Sequence, residues 1–223
     1  YSLSKCSMCE VLLAQSHPSV GKVDAFNSHA QVEPIEHTVT AMMLAEIQAG
    51  RTKHFFLDFP CLRQAQSDFK LSKVDETIQI AGSVVMTIMP IEKPQVLTRI
   101  FCIFELGCAL QHATQFEASF PAGCIGDFVD KLADDYESTS AQFSRVSLCE
   151  AHIRQGQEKV KEDIINTIER VFGTAAAEKR ISEAILSSTL LQMSLSGETF
   201  INVQRNTGIC PGNVERGNKA QME

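Results

Sequence analysis

Most of the signatures that would name an activity are missing from this chain. No GxGxxG or GxxxxGK[ST] stretch occurs, so dehydrogenase-type and P-loop-type nucleotide binding lack support. HExxH and GxSxG are absent as well, and the cysteines and histidines fall at no metal-ligand spacing. No metal is expected. No run approaches the ~18 apolar residues that a membrane span requires. Positive charge is not in excess: 20 Lys and Arg stand against 27 Asp and Glu, a net charge of −7. General affinity for nucleic acid or for an anionic membrane surface is therefore not expected. There is no tryptophan, no repeat of fixed period, and no signal-peptide pattern. The chain opens on Tyr1 rather than Met and reads as a fragment or a processed product.

What is present is ordinary for a globular protein. Hydrophobic residues make up 44% and charged residues 21% of 223 positions, enough for one sizeable core and an appended helical region. Several of the eight cysteines lie inside apolar segments, as free buried thiols do. A disulfide framework belongs to smaller, loop-rich secreted chains, so the expected compartment is the reducing cytoplasm. Cys6-Ser-Met-Cys9 is a lone CxxC and is read as two incidental thiols.

Along the chain, residues 1–20 form a lead-in with one short apolar patch. Residues 22–26 predict a first strand. Residues 34–49 carry apolar side chains at helical spacing, with Pro34 suited to the first turn and Gly50 to the C-terminal cap. His54 to Asp58 reads as a second, buried strand. Residues 72–81 predict a short helix with Ser72 as N-cap, and 83–89 a β-branched third strand. Residues 94–111 predict a helix, and 116–120 a fourth strand nearer an edge. Strand and helix alternate, which implies right-handed βαβ units and a parallel sheet. Helices are then expected over 125–136, 155–172 and 175–191, and a loose tail from 196 to 223.

The helix over 94–111 holds one carboxylate, Glu105, in apolar company on almost every side. A charge so placed needs a partner, a proton or a substrate. In parallel sheets ligands bind beyond the carboxyl ends of the strands, so the residues just after each strand, including Ser28, His29, Asp58 and Arg63, become informative.

These stretches match a known pattern. Asp24-Ala25-Phe26-Asn27-Ser28-His29 resembles the first-strand box D-A-F-x-S-Y of Toll/interleukin-1 receptor homology (TIR) domains. Phe56-Leu57-Asp58, with Leu62-Arg63 after it, resembles their second strand and following loop. Residues 84–89 and then Phe101-Cys102-Ile103-Phe104-Glu105-Leu106 resemble the third strand and the W-C-x-x-E-L helix. The likeness is closest to a divergent TIR-like group of microbial eukaryotes such as algae and oomycetes. Its boxes read F-x-S-H-A, W-x-D-x-x-x-x-x-Q and x-P-x-x-L-T-R-x-W-C-L-F-E. Here they become Phe26-Asn27-Ser28-His29-Ala30, Phe56-Leu57-Asp58 with Gln64, and the run from Pro94 to Glu105. The likeness spans residues 20–120, and the helical 125–191 region is similar to that group's C-terminal extension. Phe101 stands where the group has Trp, and Pro60-Cys61-Leu62-Arg63-Gln64 replaces an acidic-basic-Pro-Gly segment.

The resemblance implies a flavodoxin-like, three-layer α/β domain over 21–121 with a parallel sheet of four to five strands. A helical C-terminal extension over 122–195 follows. It also implies an NAD glycohydrolase or cyclase in which Glu105 is the catalytic carboxylate and NAD or a related nucleotide is the substrate rather than a cofactor. Ser28, His29, Asp58, Arg63 and Phe101 would line the substrate cleft. TIR domains also signal by self-association, so a non-catalytic scaffold that pairs with itself or with other TIR-like domains is the alternative. On the residues alone, Glu105 could equally pair with Arg63, Arg99 or a backbone amide. His29 and His112 read as packing residues, and Asp58 as a turn-former or helix cap.

Overall fold

The computed structural model describes residues 6–63, 70–90, 92–121, 124–143 and 146–207. The chain opens with a short helix, α1 (Met8–Ala14), whose N-cap Ser7 and N3 residue Glu10 form a reciprocal capping box. Strand β1 (Ala25–Ser28), helix α2 (Ile35–Ala49) and strand β2 (Phe55–Phe56) follow, then the single-turn helix α3 (Asp58–Cys61). Helix α4 (Leu71–Ala81), strand β3 (Ser83–Thr87), helix α5 (Ile100–Gln111) and strand β4 (Gln115–Ser119) complete the alternation.

The four strands pair in the order β2-β1-β3-β4, and every pairing is parallel. This is the flavodoxin-like arrangement, in which the chain steps out from the centre one way and then the other. The central strands β1 and β3 are buried at every position, as strands covered on both faces must be. Side chains alternate between the two layers. Ala25 and Val85 pack with Ala45 of α2 on one face, while Phe26, Val84 and Met86 join Val74, Ile78 and Ile103 of α4 and α5 on the other. Ser28 lies two residues after Phe26, so the pleat turns it toward α5 at the carboxyl end of the sheet.

Helices α2 and α4 each stop at a glycine with positive φ, Gly50 at 62° and Gly82 at 66°, the left-handed conformation that a Cβ disfavours. Beyond β4 come α6 (Cys124–Asp134), α7 (Tyr136–Phe143), α8 (Glu158–Phe172) and α9 (Thr174–Thr207). Helices α8 and α9 pack against α5, and α9 also covers the edge strand β4. There the Ala118 N–H donates to Ser188 Oγ at 2.7 Å, which satisfies an edge amide that would otherwise seek a further strand. Among the described residues no helix is long and apolar enough to cross a membrane.

Several boundaries differ from the sequence reading. The first strand lies later than 22–26, because Asp24 is engaged by the backbone N–H and ring of His54 and by Arg51. The second strand shrinks to two residues because the chain turns into α3 at Asp58. Lys70, not Ser72, is the N-cap of α4, and it caps with no side-chain hydrogen bond. The single helix expected over 94–111 is broken: Gln95–Thr98 is a 3-10 turn, Arg99 is extended, and α5 begins at Ile100. Helix α7 was not anticipated. The last helix runs through Gly197 to Thr207, so residues 196–207 are helix rather than loose tail. Gln64 of the second-strand box and residues 208–223 of the expected tail lie outside the described residues.

Candidate functional site

A cleft of about 300 Å³ opens beyond the carboxyl end of the sheet, at the low end of the range for small-molecule sites. Phe26, Phe56 and Phe101 give it apolar walls, and Glu105, Asp58 and His29 supply its inner polar groups. Two facts of local structure place Glu105 here. Arg99 breaks the preceding turn, so α5 starts at Ile100 and Glu105 falls in its second turn, beside the end of β1. Its neighbours Cys102, Ile103, Phe104 and Leu106 are buried, and α5 presents Glu105 to the opening beside Phe101 and Cys102.

The carboxylate is held by one strong contact. Ser28 Oγ–H donates to Glu105 Oε2 at 2.6 Å, within the range of a charge-assisted hydrogen bond. Burial pushes the Glu105 carboxyl up to about 8, and the nearby Asp58 charge adds to the rise; the Ser28 hydrogen bond and the Arg99 charge pull it back. No ion pair to Glu105 exists among the described residues. A single carboxyl poised near neutrality, hydrogen-bonded on one oxygen and open to a cleft, can bind a cation or stabilise positive charge as it develops.

Asp58 stands at the start of α3, where the chain turns out of β2. Its Oδ1 lies 3.8 Å from His29 Nε2, and its Oδ2 accepts from the Gln31 side-chain amide. Those contacts tie the loop after β1 to the loop after β2. His29 is largely buried with its ring edge-on to Phe59, and burial holds its imidazole below the usual histidine range despite the Asp58 charge. The backbone oxygen of His29 accepts from the Cys102 thiol at 3.4 Å. Burial keeps that thiol protonated, well above its ordinary range.

The structure thus brings Ser28, His29, Asp58, Phe101 and Glu105 together, but not Arg63. The guanidinium of Arg63 turns away to Glu10 of α1, with Nε at 2.9 Å from Oε2 and a second bond from Nη2 to Oε1. This pair and the Ser7 backbone bond hold the Glu10 carboxyl down at about 2. His112 is a packing residue, its Nε2 2.7 Å from Asp75 Oδ1 on α4. In place of Arg63, the cleft draws cations from Arg99, Lys70, Lys73 and Arg154. Arg99 sits in the L-T-R part of the third motif and was legible there. Arg154 and Gln157 come from the segment leading into α8 and carry no sequence signal.

Among the described residues no group of three or more His, Cys, Asp or Glu side chains is placed to hold a metal ion. All seven described cysteines are free. No protein-family profile, curated protein or solved structure matches this chain.

Proposed function

We propose that the chain is a TIR-like, NAD-cleaving enzyme whose essential carboxylate is Glu105. The observation that carries the reading is the Ser28–Glu105 hydrogen bond inside a cleft beyond the strand ends. There the one carboxylate of α5 meets the ligand edge of a parallel sheet. In the proposed reaction the nicotinamide–ribose C–N bond breaks and its electron pair moves to the ring nitrogen, which loses its positive charge. The ribose becomes oxocarbenium-like at C1′, and the Glu105 anion stabilises that charge. Water then adds at C1′ and releases a proton, giving ADP-ribose and free nicotinamide. Phe26, Phe56 and Phe101 offer faces for the nicotinamide ring and keep water away from Glu105. Ser28 orients the carboxylate, and Asp58 with His29 lies against the same opening. The free thiols suit a cytoplasmic signalling role, which belongs to the same proposal.

Nicotinamide release from NAD by the concentrated full chain tests this, wild type against Glu105→Gln. Loss of about 100-fold or more is the expected outcome for a carboxylate acting on transition-state charge. Equal release from both proteins, or none from either, sinks the reading.

A specific observation favours the scaffold alternative too. Ile35, Val39, Met43 and Ile47 recur every fourth residue along α2 and are 44–64% exposed. Such a stripe on one helix face suits contact with a second TIR-like domain.

A further inference from the structure

The charges of the cleft are sorted by depth. Lys70, Lys73 and Arg154 are exposed at the rim, while Glu105 and Arg99 are partly buried. Lys73 is taken by Glu76 on its own helix. Among the described residues, the guanidinium groups of Arg99 and Arg154 make neither an ion pair nor a hydrogen bond.

The segments that carry the two arginines are joined through the backbone. Residues 151–154, which lead from the extension into α8, lie alongside the break before α5. Arg99 and His152 form a parallel bridge: the Ile100 N–H donates to His152 O at 3.1 Å, and the His152 N–H donates to Thr98 O at 2.6 Å. Arg99 is thereby held extended at the N-cap of α5, with Arg154 two residues beyond the bridge on the facing segment. Gln157, the N-cap of the 15-residue α8, completes this wall of the cleft. Two guanidinium groups without an ion-pair partner among the described residues, lining one pocket from segments joined by a backbone bridge, suit the charge of linked phosphates.

We propose that Arg99 and Arg154 form a clamp for the pyrophosphate of a dinucleotide, with the C-terminal extension contributing half of it. The proposal rests on the nucleotide reading of the cleft and deepens it. The ring end of the ligand goes inward to Glu105 and the phosphates stay at the rim. The helical extension is then part of the binding site as well as a cover for α5 and β4.

The test is calorimetric titration of the full chain with inorganic pyrophosphate, comparing wild type with R99Q, R154Q and K22Q. Lys22 is exposed and distant in the sequence from every clamp residue, so K22Q controls for net charge. Pyrophosphate is expected to bind the wild type, with R99Q and R154Q each weakening it about tenfold or more. K22Q should stay within about twofold of the wild type. No binding to the wild type, or the same affinity in all four proteins, overturns the clamp. Pyrophosphate has no glycosidic bond, so the result is independent of turnover. Binding through both arginines with NAD left uncleaved would refute catalysis and leave the clamp standing. NAD cleavage with an unchanged KM in R99Q and R154Q would refute the clamp alone.

Discussion

Ser28 and Glu105 are 77 residues apart in the chain, yet Ser28 Oγ lies 2.6 Å from Glu105 Oε2. The contact joins the end of a central strand to the second turn of a buried helix, and it partly offsets the rise that burial imposes on the cleft's carboxyl.

The pH profile of NAD cleavage follows from that contact. Glu105 must be an anion to stabilise oxocarbenium charge, and its carboxyl is raised to about 8. The rate at limiting NAD should therefore climb from pH 6 to pH 9 with a midpoint near that value. In Ser28→Ala the anion loses a hydrogen bond worth about 1.5–3 kcal/mol, and the midpoint should move about one to two units higher. Initial rates of nicotinamide release across pH measure both. A midpoint in Ser28→Ala equal to that of the wild type would remove Ser28 from this role.

Stability should show the same group with a definite sign. The folded carboxyl of Glu105 is raised from 4.5 to about 8, so the native state holds the proton more tightly than the unfolded chain. That contribution is complete below about pH 4.5 and is lost as pH rises through 8. Glu105→Gln removes the ionisation and keeps an acceptor for Ser28. It should be neutral at pH 4 and stabilising at pH 9, by roughly 3–5 kcal/mol. Thermal melts at the two values decide. An equal effect at both would contradict the assignment.

Cys9 and Cys61 bring their sulfurs within 3.2 Å although they lie 52 positions apart in the chain. A mild oxidant such as diamide should take both thiol hydrogens and leave a disulfide that closes α1 onto α3. Burial pushes the Cys61 thiol up to about 12, so the reaction should be slow at pH 7 and faster at pH 9. The closed loop should raise stability by about 4 kcal/mol. Mass spectrometry of the linked peptide and melting of Cys61→Ser under the same conditions check this. Cys6, the other half of the CxxC, should remain reactive as an exposed thiol.

The α2 stripe predicts a separable defect. Val39→Glu with Met43→Glu alters only exposed side chains, so the melting temperature should hold within about a degree or two. If two copies meet through this face, the same pair should abolish self-association of the concentrated protein, measured by sedimentation. Association unchanged in the double variant would place any interface elsewhere.

Much of the fold was readable along the chain. The alternation of β-branched runs with helical spacing foretold a parallel α/β sheet, and Gly50 foretold where α2 stops. The all-apolar setting of 100–111 foretold a buried helix with one charge in it. Breaks were harder to see. Thr98 and Arg99 fit a helix by composition, and it is the bridge to His152 that holds Arg99 extended. Phe55 to Asp58 fits a strand, but the turn into α3 ends β2 after two residues.

By itself the sequence determined the element types, the burial of α5 and the candidacy of Glu105, because hydrophobic period and capping act over a few residues. The motifs named Ser28, His29, Asp58, Phe101 and Glu105 for the cleft, and tertiary structure decided which cations join them. Arg63 follows the second strand as the motif suggested, yet α1 offers it Glu10 and draws it away. Arg154, far along the chain in an unremarked loop, takes a place on the rim because His152 bridges to the backbone at Arg99. Contacts between distant segments depend on how whole layers pack, and no local pattern in the chain encodes them.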